Sequence, residues 1–577
     1  MRNVPARLFR VALAASLSLS ALLFFLWSWR WPLVGDASLM HYMGWLIERG
    51  WAPYRDFGDM NMPGSYLIEL AAMHLFGTGG LAWRLFDFTL MGAAAASFFV
   101  ITRRTRAGAP SMTVSSSWVG SENSWLAGLF AACLFILVHG RDGLAEGGQR
   151  DLTMAVCLIV ATAFLFVAVR RDWPWAAVAF GLFSGVALTI KPTALPVTVA
   201  QLLLAVYVLH KGGGSQANPP RGWLHHAVAA IAGYLIAPAI ALVFLLRERA
   251  LAAFFDNLHG LDLYYSGLGH RPLGFLLLHS ISPLLPLVLL WLAVLALRFP
   301  KLGGERAKLG GARTAMDWER VALFCGALFG LVSYLVQGRG FPYHRYMLLA
   351  FLLPLMAVDF TRSAQTQLSD LWRTKAHVRR GKTAQWLALA ALSFGGFVLA
   401  PQSAVLIHRY RWWETDFITS LQQNLDALGG QRLSGHIQCI DSISGCGTAL
   451  YRMRLEPANG LLVDFPIFGA EKVAVVRQMR EQFSAAVLAN PPQVIVVTSS
   501  LVFYDDGPGE YRKLDRWPAF QSFLAAGYTL QTEWSPTRTA RWWSREEIPA
   551  SYRIYVLRDS LTTPRPHPKR PSPGEKP

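Results

Sequence analysis

The stretch 152-LTMAVCLIVATAFLFVAV-169 carries no charged residue and is bounded by Asp151 and Arg170. A hydrocarbon core of about 30 Å requires about 20 apolar residues of a helix. Similar blocks recur along the 577 residues, of which 53% are hydrophobic, and this is a membrane composition. The sequence therefore predicts a mainly α-helical, polytopic membrane protein of about eleven transmembrane helices. The predicted crossings cover residues 8–29, 81–102, 124–140, 152–169, 174–190, 193–210, 225–246, 273–297, 318–336, 345–360 and 384–401.

The net charge of +18 is divided among loops rather than gathered in one patch, so it does not indicate a nucleic-acid partner. Because cytoplasmic loops are rich in Lys and Arg, the alternation of basic loops predicts a cytoplasmic N-terminus. The first apolar block continues into 28-SWRWP-32 rather than into small residues, so it is a retained helix and not a cleaved signal. The basic loop residues are Arg2, Arg7, Arg10, Arg103, Arg104, Arg106, Arg170, Arg171, Lys301, Arg306, Lys308, Arg313, Arg373, Lys375, Arg379, Arg380 and Lys382.

Three domains follow from this topology: a membrane domain over 1–401, an extracytoplasmic α/β domain over 402–560 and a Pro-rich, disordered tail over 561–577. In the α/β domain, residues 470–489 are amphipathic, 491–500 and 552–558 are strands, and 517–528 is a helix. Cys439 and Cys446 fall in this exported part, where either a disulfide or two free thiols is compatible with the sequence.

The first external loop, residues 30–80, is the longest loop of the membrane domain. Within it, 36–50 and 65–77 have helical patterns but are too short to span a membrane, so we predict interfacial helices. Glu69 and His74 are predicted to mark the wet side of the second helix. Arg84 and Asp87, three residues apart, are predicted to form a structural ion pair.

Charged residues of both signs collect in the predicted external loops, whereas the predicted midplane is nearly free of them. A carrier would place ionisable groups and broken helices near the midplane. A mixed cluster at one membrane surface instead suits a reaction between a membrane-anchored donor and an acceptor outside. The predicted substrate-binding residues are Arg55, Asp56, Arg150, Asp151, Lys191, His270, Arg271, His344 and Arg345.

The order of short motifs resembles the GT-C glycosyltransferases that use polyprenyl-phosphate sugars, in the branch of lipid A aminoarabinose transferases and protein O-mannosyltransferases. The resemblance covers residues 8–400. A departure is 59-DMNMP-63, where the family has Glu-Lys-Pro-Pro, so that a lysine beside the second acid is missing. The motifs are Gly35-Asp36, 59-DMNMPGSY-66, 80-GLAWRL-85, 148-GQRD-151, 189-TIKP-192 and 341-FPYHRY-346.

The resemblance implies an inverting sugar transfer in which Asp36 is the catalytic base and Asp59 holds the acceptor or a metal. It implies that Arg150, Lys191 and Arg345 hold the donor phosphate. Asp36 has a competing interpretation as a helix N-cap, and Lys191 as a lysine that reaches from a helix end to the interface. A divalent cation, Mg or Mn, shared by the Asp36 and Asp59 carboxylates is an open possibility.

The implied partners are a polyprenyl-phosphate-linked sugar, a glycan, lipid or protein acceptor, and membrane lipids. The implied location is a bacterial inner membrane, with the active site on the periplasmic side. One alternative is a polysaccharide ligase or polymerase that uses a polyprenyl-pyrophosphate glycan and relies on Arg and His more than on an early Asp. The other is a lipid or solute carrier.

Overall fold

The computed structural model describes residues 4–103, 124–212, 222–298, 318–370, 378–504, 511–536 and 550–558. The predicted tail 561–577 lies outside these residues, as do most of the predicted cytoplasmic basic residues. Contacts divide the chain into two units. The first unit is Met1–Trp31, Trp83–Ile240 and His270–Ile407, and the second unit is Pro32–Ala82, Ala241–Gly269 and His408–Pro577. The first external loop thus belongs to the same unit as the C-terminal region.

Helices dominate both units. In chain order they are α1 Val4–Ser28, α2 Gly35–Glu48, α3 Pro63–Phe76, α4 Gly80–Thr102, α5 Ser124–Asp142, α6 Arg150–Arg171, α7 Pro174–Ile190, α8 Leu195–Gly212, α9 Gly222–Arg247, α10 Leu251–Asn257, α11 Leu263–Ser266, α12 Leu273–Ile281, α13 Leu285–Arg298, α14 Trp318–Gln337, α15 Tyr346–Asp370, α16 Val378–Ala427, α17 Cys446–Met453, α18 Ala474–Ala489 and α19 Pro518–Gly527.

Seven helices in the described ranges are long and apolar enough to cross a membrane, and an eighth span results if α12 and α13 count as one. Two shorter apolar helices, Arg10–Leu26 and α7, add to them. The prediction of a polytopic, mainly helical membrane protein is confirmed, whereas the number eleven stays a prediction.

The predicted crossing at 273–297 is divided in the structure into α12 and α13, which are bent by 82° at a break, so that the pair forms either one broken span or a re-entrant segment. The break contains 282-SPLLP-286, and a proline within a helix removes a backbone donor and clashes with the preceding turn.

Glycines bring α7 and α9 into direct backbone contact in the first unit. A Cβ atom at Gly181 would lie 1.9 Å from the Ala230 carbonyl oxygen, and one at Gly233 would lie 2.1 Å from that of Val178. Small residues at such crossings let membrane helices approach closely. Any larger side chain at either position would separate the two helices.

The second unit contains a four-stranded sheet of β1 Ile437–Ile440, β2 Val494–Thr498, β3 Tyr528–Trp534 and β4 Tyr552–Leu557, in the order β1-β2-β4-β3. Strands β1 and β2 are parallel, and the other two pairs are antiparallel. The predicted strands at 491–500 and 552–558 and the helix at 517–528 are therefore present. Of the two interpretations of Cys439 and Cys446, the disulfide is the one observed.

Helices α2 and α3 pack together within the second unit. Gly44 makes this possible, since a Cβ atom there would lie 2.8 Å from the Met73 sulfur. Glu69 is buried on this side and forms an ion pair with the buried His41. The prediction that Glu69 marks the wet side is therefore wrong. His74 is exposed, with Nε2 3.6 Å from Glu48 Oε1.

Candidate active site

Lys191 is the centre of a polar cluster in the first unit. It is the residue after the last turn of α7, where its backbone has left the helical conformation. Its ammonium group donates to both carboxylate oxygens of Asp151, at 2.7 and 2.9 Å, and to Gln337 Oε1 at 2.5 Å. Burial lowers the pKa of Lys191, while Asp151 opposes that shift. The side chain is 25% exposed, so one side of it remains accessible.

His344 and Arg345 end a 3₁₀ turn, Pro342–Arg345, immediately before α15. Arg345 forms an ion pair with Asp142 from the end of α5. The His344 side chain is 3% exposed, and its Nδ1 has no hydrogen-bond partner among the described residues.

Three cations act electrostatically on His344: Lys191, Arg339 and Arg150. We call these four residues the cation cluster. Because cations hydrogen-bond strongly to phosphate oxygens, the cluster can hold a phosphate group. Four sequence-predicted substrate-binding residues, Arg150, Lys191, His344 and Arg345, are thus brought together with Asp151.

Arg339 is a candidate phosphate-binding residue that is absent from the substrate-binding residues predicted from the sequence. It is buried, and its neighbours Gly338 and Gly340 both have positive φ, at 68° and 74°. Only glycine adopts such angles readily, so 338-GRG-340 is a tightly shaped turn around an arginine. That pattern is visible in the sequence and could have identified Arg339.

His270 and Arg271 lie against the same turn. The Arg271 backbone N–H donates to the Gly338 carbonyl at 2.7 Å. A Cβ atom at Gly338 would be 2.6 Å from the His270 ring. The two predicted residues therefore adjoin the segment that carries Arg339.

Asp59 is the centre of an acidic cluster in the second unit. It is buried, and Oδ2 accepts hydrogen bonds from Tyr66 Oη and Asn61 Nδ2, each at 2.5 Å. Asn257 donates to the Asp59 carbonyl at 2.7 Å and to Asp262 Oδ1 at 3.3 Å. Burial, and next the negative charge of Asp59, raise the pKa of Asp262 to about 7.

Arg55 and Asp56 pair with each other. Arg55 Nη2 lies 2.9 Å from Asp56 Oδ2, and Nη1 donates to the Glu248 carbonyl at 2.9 Å. Asp56 also accepts from the Ala52 backbone N–H at 2.8 Å, which closes the turn. These contacts join the two residues to their own loop and to Glu248, and a substrate-binding role for them stays a prediction.

Asp36 lies in the first turn of α2, and the N-cap position is occupied by Val34 without a side-chain cap. The interpretation of Asp36 as the N-cap is therefore wrong. Its side chain is partly exposed. A carboxylate in the first turn still interacts favourably with the helix dipole, so a structural contribution of a few tenths of a kcal/mol, about 0.3 to 1, is expected.

A shared metal at Asp36 and Asp59 stays a prediction. Among the described residues there is no group of three or more His, Cys, Asp or Glu side chains with the geometry of a metal site. Two carboxylates with water could hold Mg or Mn, and such sites commonly keep several waters.

No protein-family model and no curated protein matches the chain. Several solved structures match it. ArnT from Cupriavidus metallidurans bound to undecaprenyl phosphate is 15% identical, with a TM-score of 0.52 over 94% of this chain and 97% of that one. The structure of the same protein in the apo state is 15% identical, with a TM-score of 0.53 over 96% of this chain and 99% of that one.

The archaeal oligosaccharyltransferase AglB from Archaeoglobus fulgidus, in complex with an inhibitory peptide and a dolichol-phosphate, is 12% identical. Its TM-score is 0.50 over 93% of this chain and 75% of that one. Both proteins belong to the GT-C superfamily. At identities this low the TM-scores show a shared fold and no more: the chain has the fold of these polytopic GT-C membrane proteins, and the resemblance noted from the sequence motifs is confirmed at that level.

Proposed function

We propose that the protein is an integral-membrane glycosyltransferase that moves a sugar from a polyprenyl-phosphate donor to an acceptor on the outer side of a bacterial inner membrane. The observation that carries this proposal is the cation cluster, in which the positive charges of Arg150, Lys191 and Arg339 lie close enough to act on the buried His344. A leaving phosphate gains charge as the sugar departs, and preformed cations stabilise that charge.

The reaction follows from the leaving group. The acceptor oxygen attacks the anomeric carbon, the bond from that carbon to the phosphate oxygen breaks, and its electron pair stays on the phosphate. The acceptor proton passes to a base, which the family resemblance assigns to Asp36. Attack from the side opposite the phosphate inverts the anomeric centre. A positioned base contributes about 100-fold or more to such a transfer.

A polyprenyl-pyrophosphate glycan is the second candidate donor. The observation that favours it is the number of cations: three act on His344, and Arg345 lies next to it. Two phosphate groups carry more charge than one and could engage more of these side chains. An experiment therefore has to distinguish the polysaccharide ligase from the proposed glycosyltransferase.

The test is binding of undecaprenyl phosphate and undecaprenyl pyrophosphate to the full-length protein in detergent, measured by native mass spectrometry. We expect the monophosphate to bind, and Arg339→Gln to weaken it about tenfold, as expected for one charge-assisted hydrogen bond. The matched control is Arg170→Gln, because Arg170 bonds Glu319 at 2.7 and 3.0 Å at the other end of α6.

Equal weakening by both variants, or absence of binding by the wild type, would contradict the proposal. Tighter binding of the pyrophosphate would favour the ligase. Mass spectrometry of lipids and glycans from cells with and without the gene then identifies the sugar and the acceptor, since the missing sugar marks both.

A further inference from the structure

A chain of buried polar side chains lies inside the helices of the first unit. Arg84 and Asp87 are one turn apart on α4, and Arg84 Nη1 donates to Asp87 Oδ2 at 2.5 Å. His139, near the end of α5, places Nε2 3.1 Å from Asp87 Oδ1. None of the three side chains is more than 2% exposed. Ionisable groups within membrane segments are costly and are retained mainly where they serve a function.

The chain continues from His139 to α15. His139 Nδ1 lies 2.8 Å from the hydroxyl of Tyr346, which is fully buried. In a neutral imidazole one nitrogen donates and the other accepts, so a ring that donates to Asp87 from Nε2 accepts from Tyr346 at Nδ1. Tyr346 directly follows His344 and Arg345. Asp87 therefore reaches the start of α15 through two hydrogen bonds.

The same carboxylate also holds the loop before α6. Gly148 donates its backbone N–H to Asp87 Oδ1 at 2.7 Å, and Trp83 Nε1 donates to the Gly147 carbonyl at 2.9 Å. Gly148 has φ +61°, and a Cβ atom there would lie 2.1 Å from the Trp83 ring. The loop is thus fixed two residues before Arg150.

We propose that Asp87 and His139 are positioning residues for the phosphate-binding cation cluster, holding Arg150 through the 147–148 loop and His344 through Tyr346. This inference rests on the proposed function. The two segments are far apart in the sequence. Asp87 bonds directly to the 147–148 loop and, through His139, to Tyr346. Neither residue needs to touch the phosphate.

Apolar packing alone could join these helices as firmly. Replacing a buried ion pair by well-packed hydrophobic residues is often neutral or stabilising. Apolar contacts are not directional, whereas each hydrogen bond of Asp87 fixes the orientation of one particular group. Direction matters for a reaction site, where a displacement of about 1 Å can cost about 100-fold in rate.

The first measurement is the affinity of the full-length protein for undecaprenyl phosphate. Tyr346→Phe removes one hydroxyl and keeps the ring, and we expect about tenfold weaker binding. His139→Phe should weaken binding further, and His139→Gln should recover part of it, because an amide can both donate to Asp87 and accept from Tyr346.

The matched control is Asp359→Asn. Asp359 is equally buried and accepts from Arg320 at 2.9 Å and Trp291 at 2.8 Å. It lies on α15 thirteen residues after Tyr346, which is about 20 Å along the helix. A general loss of packing would lower donor affinity in this variant too, whereas the positioning role predicts a change of less than about twofold.

Hydrogen exchange without any lipid is the second measurement. In His139→Phe and Asp87→Asn, the peptides covering 143–151 and 341–346 should exchange faster than in wild type. Unchanged exchange there, or equal affinity loss in Asp359→Asn, would overturn the positioning role while leaving wild-type donor binding, and hence the proposed function, intact. A wild type that binds no undecaprenyl phosphate would instead overturn the proposed function and this inference with it.

Discussion

The cation cluster of the first unit and the acidic cluster of the second are built in different ways. Lys191 and Asp151 are 40 residues apart, and Arg345 and Asp142 are 203 apart. The donors to the Asp59 carboxylate, Asn61 and Tyr66, lie only two and seven residues away. The cation cluster depends on the packing of several helices, whereas the Asp59 carboxylate is held by its own loop, and the Asp59 carbonyl is bonded from a distant segment, by Asn257.

This difference suggests a division of tasks. The proposed phosphate site is assembled from the ends of several helices that pack together in the first unit. An acidic loop with local contacts can differ between related proteins without disturbing that bundle. We therefore expect donor recognition to depend on the first unit and acceptor chemistry on the second.

The largest effect should come from Asp36→Asn in the second unit. Asparagine cannot accept the acceptor proton, so we expect sugar transfer to fall at least about 100-fold. The helix-dipole contribution of the carboxylate is small, so the thermal midpoint should shift by no more than about 2 °C. Turnover close to wild type in the purified variant would remove Asp36 from the mechanism.

Next in size is the effect of Lys191 on the cation side. Lys191→Gln should weaken undecaprenyl phosphate binding about tenfold and also destabilise the protein by on the order of 2 kcal/mol, because Asp151 loses its partner in a partly buried site. The double variant Asp151→Asn/Lys191→Gln should regain the stability but not the affinity. Recovery of both in a binding and melting experiment would assign Lys191 a purely structural role.

A different effect, on stability rather than on activity, concerns pH and Asp262. The pKa of this carboxyl is raised to about 7 in the folded protein, against about 4 when unfolded. The folded state binds the extra proton between these values, so the free energy of unfolding should fall as pH rises from about 4 to about 7. Melting curves of wild type and Asp262→Asn across this range should show a flatter profile for the variant, and parallel profiles would refute the assignment.

The smallest effect is expected for Arg55. Its guanidinium is 42% exposed and bonds Asp56 and the Glu248 carbonyl, and exposed ion pairs contribute little. Arg55→Gln should change donor affinity by less than about twofold. A tenfold loss in the same binding assay would mean that the loop contributes a phosphate ligand after all, and the contrast between the two clusters would weaken.

Length and apolarity were enough to predict the helices, because a crossing is a local property of the chain. Ten of the eleven predicted crossings each coincide with one described helix, and the remaining one, 273–297, is divided between α12 and α13 at a segment that contains two prolines. The resemblance implied that Lys191, Arg150 and Arg345 hold the donor phosphate; the structure brings their segments together, and the role itself stays a prediction.

Partners at long range were not predictable in the same way. Glu69 looked like a surface residue because it lies in a short apolar segment predicted to be an interfacial helix, whereas in the structure it is buried and pairs with His41 of α2. The link from Asp87 to His139 joins residues 52 positions apart. Local periodicity does not reveal such a pair, because the two residues lie on different helices.

Helix α7 has a consequence for the surrounding lipid. With 17 residues it is about 25 Å long, which is about 5 Å less than a typical hydrocarbon core. Trp173 and Trp175 are exposed at one end, as in an interfacial aromatic belt, and Lys191 follows the other. A bilayer accommodates such hydrophobic mismatch by thinning locally. The depth of Lys191 in the membrane thus depends on the acyl-chain length of the lipids. The protein should be accommodated with less hydrophobic mismatch in thin bilayers than in thick ones.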